Sequence, residues 1–177
     1  MIFGDHRVEI IPDTEFRLDG GAMFGVVPRV LWERVAPPDE KNRIRMNMNC
    51  VFIDTGKEKI LIETGIGEKF SAKEAEIYGV FREKPFAESL FEKTGCRPED
   101  ISMIVNTHLL FDHCGGNTIR EDREGRRQGD AEHSTTSDTP HSEASHSIVP
   151  QFPNARYLVS KREFDHAASP TERDRAS

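Results

Sequence analysis

The sequence predicts an α/β (α+β) domain, and three observations lead to this class. Residues 7–62 contain segments in which apolar and polar side chains alternate with the period of two that is typical of β-strands. From residue 68 onward, segments rich in helix-forming residues alternate with short apolar runs. Hairpin strands followed by alternating helix and strand are typical of a sandwich of sheets and helices.

The N-terminal strands are predicted in four segments. Residues 7–11 form a short strand, and residues 14–19 alternate until a glycine pair interrupts the pattern. Residues 43–54 are the clearest strand, because their first half keeps a strict period of two. A turn then leads into residues 59–63 as a hairpin partner. The apolar residues 24–32 contain glycine and proline and are predicted as a loop packed over the sheet.

The next part of the chain is predicted to alternate between helices and a strand. Residues 68–78 are rich in helix formers, and Pro85 begins a second helix. Gly95 follows that helix at the position where a left-handed backbone favours glycine. The apolar residues 101–105 then indicate a buried strand, and another helix is expected to begin near Asp112.

The C-terminal segment continues the same alternation. Residues 156–160 are predicted as a strand and residues 161–168 as a helix. Residues 169–173 combine a capping serine with proline, which predicts the start of a further helix. Because the chain stops at Ser177, short of the roughly 12 residues of an ordinary helix, we expect a truncated sequence.

A polar segment interrupts this pattern. Between residues 121 and 146 the aliphatic side chains are limited to Ala131 and Ala144. Such a segment cannot bury enough apolar surface to offset the entropy lost on ordering. We therefore predict a disordered surface insertion at residues 121–148.

Composition excludes several classes of protein. Lys and Arg total 24 against 31 Asp and Glu, a net charge of −7, which argues against a nucleic-acid partner but allows a small anionic substrate. No run approaches the roughly 18 apolar residues of a membrane span, and the first residues do not resemble a signal peptide. Three widely spaced cysteines predict no disulfide framework and a cytoplasmic location.

Residues 105–117 carry the candidate chemistry. An apolar strand delivers His108 at its C-terminal end, where α/β proteins place ligand sites, and Asp112 and His113 follow after a turn. Two imidazoles and a carboxylate within six positions suit Zn²⁺ or Fe²⁺, and a glycine pair would let the backbone pass close to the metal. The spacing equally allows two ordinary turn histidines and a helix-capping aspartate.

The segment T-H-L-L-F-D-H-C-G-G-N at residues 107–117 resembles a motif of the metallo-β-lactamase superfamily. The family form is T-H-x-H-x-D-H-x-G-G-N, which is common among its lactonase-like metallo-hydrolases. Residues 61–67 resemble the upstream D-T-G hairpin, with Glu63 at the position of the aspartate. The strand that precedes this hairpin fits residues 49–53, and the strand that follows the motif fits residues 152–159.

The resemblance covers everything except the polar insertion. It implies that residues 1–177 form the N-terminal half of an αββα metallo-β-lactamase-like sandwich. It also implies a hydrolase that acts on a lactone or ester, a small-molecule substrate, through a metal-bound hydroxide.

The resemblance also implies a ligand set. In the family, the positions of His108 and Leu110 bind one metal, and those of Asp112 and His113 help to bind a second. His108, Asp112 and His113 are therefore the expected metal ligands, and Asp112 is the expected catalytic residue that orients the attacking water. Intact relatives hold two zinc ions per site, and iron or manganese suits the same ligands.

Two departures from the family pattern weaken this expectation. Leu110 replaces the second histidine of the motif and cannot coordinate a cation, and the family's remaining ligands lie in a second half that this sequence does not contain. We therefore expect weak metal binding, impaired activity and an exposed apolar face that favours homo-oligomers. The predicted disordered insertion contains His133, His141 and His146. These histidines are poor replacement ligands, because metal binding would have to order the segment.

Alternatives remain open at two levels. The chain is either an impaired hydrolase or a non-catalytic remnant or binding module of the same fold, and a glyoxalase II-type thioester hydrolase is the enzymatic alternative.

Glu63 either supports the metal loop or is an exposed strand end. Cys114 is predicted as a small buried residue and not a ligand. Trp32, with Phe24 and Met23, lines either a substrate entrance or the core.

Overall fold

The computed structural model describes residues 1–121 and 147–172. In these ranges the strands are β1 (Ile2–Phe3), β2 (His6–Asp19), β3 (Arg43–Asp54), β4 (Lys59–Ile62), β5 (Met103–Val105), β6 (Thr118–Glu121), β7 (Ser147–Pro150) and β8 (Arg156–Leu158). The helices are α1 (Gly20–Phe24), α2 (Arg29–Trp32), α3 (Ala72–Ile77), α4 (Phe86–Thr94), α5 (Phe111–Cys114) and α6 (Lys161–Ala168). The predicted mixed α/β class is confirmed.

Six strands form one sheet in the order β1-β2-β3-β4-β5-β8. Neighbours from β1 to β4 are antiparallel, whereas β4, β5 and β8 run parallel. The C-terminal ends of these three parallel strands therefore meet at one edge of the sheet. That edge is where the chain continues into Glu63 after β4 and into His108 after β5.

The two predicted N-terminal strands are one 14-residue strand, β2. Its pairing with β3 shifts register between Pro12 and Thr14, which is a β-bulge. The bulge buries Asp13 and Thr14 together, although successive residues of a regular strand point to opposite faces. The alternation breaks at this bulge, and the sequence pattern therefore separated the strand into two.

The helices refine the sequence prediction in detail. Gly95 ends α4 with a φ of 77°, as its position predicted. The helix predicted over residues 68–78 is shorter, because Ser71 caps α3 through a hydrogen bond from the Glu74 amide. The loop predicted at residues 24–32 is partly wrong, since it contains α2 and the end of α1. None of the helices in the described part of the chain has the length and apolarity needed to cross a membrane.

One face of the six-stranded sheet forms the core. Phe86 and Leu90 of α4 are buried there, and the Phe86 ring meets Phe152 edge-on with centroids 6.3 Å apart. Each such fully buried side chain contributes roughly 1.5–3 kcal/mol to the free energy of folding. The sheet supplies a buried row across adjacent strands, formed by Phe52, Leu61 and Ile104.

The opposite face of the sheet is also apolar, but its side chains are partly exposed. Two rows of directly paired residues cross it, and we call them together the apolar sheet face. They are Val8, Ile53, Ile60 and Met103 in one row, and Ile10, Val51, Ile62, Val105 and Leu158 in the other. Ile10 is 51% exposed and Leu158 is 44% exposed. A second layer packed on this face would complete the sandwich that the sequence analysis expects.

The polar insertion has narrower boundaries than predicted. Glu121 ends β6, and Ser147 and Ile148 begin β7, so these three residues are strand and not insertion. The two strands pair antiparallel in a separate small sheet, and Ile119 of β6 is buried. The rest of the predicted disordered segment, residues 122–146 with its three histidines, lies outside the described residues.

The helix predicted to start at residue 169 is not seen where the chain is described. Ser169 is instead the C-cap of α6, and its amide donates to carbonyl oxygens of that helix. Pro170 and Thr171 have no helical assignment. Residues from 173 onward lie outside the described part.

Candidate metal centre

Glu63 enters the site directly from the end of β4. Its side chain is buried, with the residue 6% exposed, and its Oε1 accepts a hydrogen bond from the Thr107 amide at 2.8 Å. The amide group of Asn106 donates weakly to Oε2 at 3.4 Å. Glu63 has a φ of 63°, in the left-handed region that non-glycine residues rarely adopt. The alternative of an exposed strand end is therefore wrong, because this carboxylate is held inside the site.

The two motif histidines meet beside this carboxylate. His108 follows β5, His113 lies in α5, and their ring centroids are 4.0 Å apart. One ligand atom each from Glu63, His108 and His113 lies within 4.8 Å of the others. The His113 Nδ1 atom is buried without a hydrogen bond and lies 3.6 Å from Glu63 Oε2. Two imidazole nitrogens and a carboxylate are a ligand set that zinc accepts.

Asp112 lies on the other side of the His113 ring. Its Oδ2 is 3.4 Å from His113 Nε2, so the imidazole stands between two carboxylates. Asp112 is absent from the group of three ligand atoms within 4.8 Å. The structure therefore brings His108 and His113 together with Glu63, and it places Asp112 beside His113.

Leu110 occupies the turn between the two histidines. Its carbonyl oxygen accepts hydrogen bonds from the amides of His113 and Cys114, at 3.0 and 3.1 Å, and so begins α5. The side chain is 44% exposed. Leu110 therefore supports the local backbone without offering an atom that can bind a cation.

A hydrogen-bond network that the sequence analysis missed lies beneath the histidines. Asn117 donates to Asn106 Oδ1 at 2.9 Å, and Thr64 Oγ1 donates to Asn117 Oδ1 at 3.0 Å. The Thr64 amide donates to the carbonyl oxygen of His113 at 2.9 Å. The only local signal was an asparagine after a strand and another after a glycine pair. These contacts connect β4, β5 and α5 and fix the backbone that carries the ligands.

The glycine pair packs against the loop after β4, and its predicted approach to a metal stays a prediction. A Cβ atom at Gly116 would lie 2.1 Å from the Thr64 carbonyl oxygen, and one at Gly115 would lie 2.2 Å from that of Ile66. Gly67, with a φ of 74°, faces Gly115 equally closely. Two stretches of backbone thus touch at a distance that only glycine permits.

A buried ion pair supports the same loop from below. Asp13, placed inward by the β-bulge, accepts a hydrogen bond from the Ile66 amide at 2.9 Å and pairs with Arg82. Arg82 also donates to the Gly67 carbonyl oxygen at 2.9 Å. Burial raises the pKa of Asp13 above its ordinary value, although Arg82 and the Ile66 amide oppose that rise. These residues are far apart in sequence and carried no local signal.

Two candidates from the sequence remain, Cys114 and Trp32. Cys114 is half-buried, and burial together with the charge of Glu63 raises the pKa of its thiol; that it is not a ligand stays a prediction. Trp32 is 3% exposed and stacks on Phe24 with centroids 5.0 Å apart. Trp32 therefore belongs to the core, whereas Met23 is 45% exposed.

Part of this chain resembles known proteins in sequence. Residues 44–119 match the family model of the metallo-beta-lactamase superfamily. An N-acyl homoserine lactonase from Bacillus cereus is 31% identical, over 43% of this chain and 34% of that protein. A second N-acyl homoserine lactonase, from a Bacillus species, is also 31% identical, over 38% of this chain.

Some solved structures are similar over nearly all of this chain. A probable metal-dependent hydrolase from Staphylococcus aureus superposes with a TM-score of 0.77 at 27% identity, covering 100% of this chain and 55% of its own. AidC, a dizinc quorum-quenching lactonase, superposes with a TM-score of 0.61 at 20% identity and shares the fold, covering 97% of this chain and 47% of its own. This chain therefore spans about a third of the curated relatives it matches and about half of these structures.

Proposed function

We propose that this chain, which carries the N-terminal part of a metallo-beta-lactamase domain, supplies the metal-binding residues of a hydrolase that acts on lactones or esters. The observation that carries this proposal is that one ligand atom each from Glu63, His108 and His113 lies within 4.8 Å of the others, and that the His113 Nδ1 atom beside Glu63 has no hydrogen bond. A buried polar atom without a partner is rare in proteins, and a cation would satisfy it.

The donor atoms present fit one metal ion better than two. His108 and His113 offer imidazole nitrogens, and Asp112 and Glu63 offer carboxylates beside them. Zinc accepts this set, and iron or manganese would accept the same atoms. Leu110 removes one ligand that the family's first metal requires, so the described residues would support one ion and not two.

Each residue then has a distinct part in the proposed reaction. A bound divalent cation would polarise a substrate carbonyl and lower the pKa of a water molecule. Asp112, next to His113 and partly exposed, would orient that water and accept its proton. The hydrogen bonds of Thr107 and Asn106 to Glu63 hold the opposite side of the site in place.

The relatives support a lactone as the proposed substrate class. The Bacillus proteins are N-acyl homoserine lactonases, and AidC is a lactonase, which favours a lactone over a thioester. A glyoxalase II-type thioester hydrolase remains the enzymatic alternative. A cytoplasmic location also stays a prediction, supported by the half-buried or fully buried positions of the three free cysteines.

A non-catalytic role is the second candidate, and Leu110 is the observation that favours it. A chain with an incomplete ligand set can keep the fold as a remnant or as a binding module. Under this alternative the network around Glu63 is structural, and addition of metal changes neither activity nor stability.

Hydrolysis assays separate these functions. The 177-residue chain is incubated with added Zn²⁺ and, separately, with an N-acyl homoserine lactone, an aryl ester and a thioester. We expect slow lactone or ester hydrolysis that requires metal and disappears in His113→Ala. Hydrolysis of the thioester alone would support the glyoxalase II type, and no turnover of any substrate would support the non-catalytic role.

A further inference from the structure

We propose that residues 22–35 are a docking surface for a phospholipid membrane. These residues, which we call the apolar lobe, contain the end of α1 and the whole of α2, and they follow the C-terminal end of β2. The inference concerns a surface outside the candidate metal centre and goes beyond the proposed hydrolysis.

The apolar lobe exposes a run of large apolar side chains. Val26 is fully exposed and Val35 is 81% exposed. The exposed apolar residues of the lobe are Met23, Val26, Val27, Val30, Leu31 and Val35. A cluster of exposed apolar side chains usually marks a site that contacts another protein or a membrane.

The base of the lobe is fixed to the end of the sheet. Asp19 caps α1 by accepting a hydrogen bond from the Ala22 amide at 2.8 Å, and the Asn42 side chain donates to its other carboxylate oxygen at 2.8 Å. The buried Trp32 ring packs on Gly20, where a Cβ atom would lie 2.5 Å from the ring. The base is therefore held in place while the apolar side chains of the lobe stay exposed.

The lobe stands at the end of an arm formed by β2 and β3. Ile10 of β2 is level with Ile62 at the end of β4, because both residues pair with Val51. β2 continues from there to Asp19, an extension on the order of 30 Å along the strand at roughly 3.3 Å per residue. β2 and β4 are both antiparallel to β3, so the arm extends from the edge of the sheet that carries the candidate metal centre.

The size and composition of the lobe favour lipid over a protein partner. A stable protein interface takes about 20–30 residues from each side and is enriched in aromatic side chains. The exposed apolar side chains of the lobe are few and belong to Val, Leu and Met, whereas Phe24 and Trp32 stack on each other. A small apolar surface of this kind is enough to enter the boundary between lipid headgroups and acyl chains.

The charges of the lobe also suit lipid headgroups. Glu33 is the only acidic residue in this segment, and it pairs with Arg29 at 2.9 Å. Arg34 is exposed and makes no hydrogen bond or ion pair with the other residues that the structure describes. Arginine at the rim of an apolar surface can bind lipid phosphates while its methylene groups lie along the acyl chains. An apolar centre with a basic rim is typical of segments that lie in a membrane interface.

The fluorescence of Trp32 tests the proposal, because it is the single tryptophan of the chain and lies at the base of the lobe. The 177-residue chain is mixed with phosphatidylcholine vesicles, with and without bromine atoms on the acyl chains, and bound protein is separated by flotation. Zwitterionic lipid is the probe, because the net charge of −7 opposes binding to anionic lipid. We expect the chain to float with the vesicles and the brominated lipid to quench the fluorescence of Trp32.

A double variant locates the binding surface. Val26→Asp combined with Leu31→Asp places charges on the lobe without changing the core, because both side chains are exposed. We expect vesicle binding to fall by more than about tenfold, since both side chains would lose their burial in lipid. Phe164→Asp is the matched control and should bind as the wild type does. It changes a 59% exposed residue of α6, the helix that follows β8 at the other edge of the sheet.

The remaining outcomes contradict the proposal. Circular dichroism checks that each variant folds, and all the proteins keep the apolar sheet face, so association through that face affects them equally. Flotation without quenching of Trp32, or equal flotation of the double variant, would show that another surface binds lipid. Absence of flotation of the wild-type chain would also overturn the proposal. If light scattering then gives the double variant a smaller mass than the wild type, a second copy of the chain occupies the lobe instead. The Zn²⁺-dependent hydrolysis assays test the proposed function separately.

Discussion

At the scale of single residues, His113 is the most constrained group in the site. Its ring stands between the carboxylates of Glu63 and Asp112, and its carbonyl oxygen accepts the amide of Thr64. The ring and the backbone are therefore fixed by different neighbours. Metal affinity then depends on which side chains surround this imidazole, and a single substitution can add or remove a ligand.

Leu110→His tests the lost ligand position. Leu110 is 44% exposed, so an imidazole fits there without disturbing the core. The variant adds a third histidine to His108 and His113, and we expect Zn²⁺ to bind at least about tenfold more tightly, equal to ~1.4 kcal/mol. Competition titration with a zinc chelator measures this. Leu110→Gln, which is polar but lacks an imidazole, should bind as the wild type does, and an equal gain in both variants would contradict the prediction.

Arg82→Met tests the buried ion pair beneath the site. The substitution leaves the Asp13 carboxylate buried without its cation, which typically costs about 3–5 kcal/mol. Burial already raises the pKa of Asp13 above its ordinary value of 3.8. At low pH the carboxyl group is therefore protonated, and the neutral form removes the destabilisation. The destabilisation grows as the pH rises through the raised pKa. We therefore expect the variant to lose more unfolding free energy, relative to wild type, at pH 7 than at pH 4.

Urea denaturation at the two pH values gives the required difference. Arg82→Lys keeps a positive charge and should lose less stability than Arg82→Met at pH 7. An Arg82→Met penalty that is the same at both pH values would show that Asp13 does not titrate between them.

At the scale of elements, the site is built where a loop and a helix touch backbone to backbone. The loop from Thr64 to Gly67 packs on the glycine pair that follows α5. Asp13 and Arg82 hold this loop from the other side. The relative position of β4 and α5, and therefore of Glu63 and His113, depends on this close approach.

Gly116→Ala tests this contact. The added Cβ would meet the Thr64 carbonyl oxygen at 2.1 Å, so the loop must move away. We expect a loss of about 1–3 kcal/mol in unfolding free energy, the usual cost of overpacking, and weaker Zn²⁺ binding. Gly21→Ala is the comparison, because that glycine has no positive φ and its Cβ would come no closer than 3.0 Å to another residue, at a side-chain oxygen of Asp19. Thermal unfolding and zinc titration of both variants measure the two effects. Unchanged zinc affinity in Gly116→Ala would show that this backbone contact does not position the metal ligands.

At the scale of the whole molecule, the apolar sheet face lacks a covering layer among the described residues. Its two rows of paired residues cross five strands and remain partly exposed. Contiguous apolar patches of this kind promote association. The chain also spans about half of the solved structures that it resembles.

We expect the 177-residue chain to self-associate through this face. Light scattering after size-exclusion chromatography measures the mass in solution. Placing lysines at Ile10 and Val51, which pair directly on the face, should shift the chain toward monomer. Lysine at Ile77, a 52% exposed residue of α3, is the control and should have no effect. A monodisperse wild-type monomer with a cooperative thermal transition would contradict this prediction.

Metal content is a further property of the whole chain. Since the ligand atoms present fit one ion and Leu110 removes a family ligand, we expect at most one zinc per chain after dialysis. Elemental analysis together with protein quantitation gives the ratio. Two tightly held ions per chain would show that residues outside the proposed set complete a second site.

The sequence by itself determined the mixed α/β class, most strand positions and the motif that contains His108, Asp112 and His113, because periodicity and motif spacing are local properties. It also predicted the end of α4 at Gly95, since a left-handed residue is a local requirement. Only the tertiary structure decided that Glu63 joins the histidines, that a bulge turns Asp13 inward to Arg82, and that the glycine pair packs on another loop. Each of these depends on strand register and on contacts between residues more than 40 positions apart, which no local pattern records.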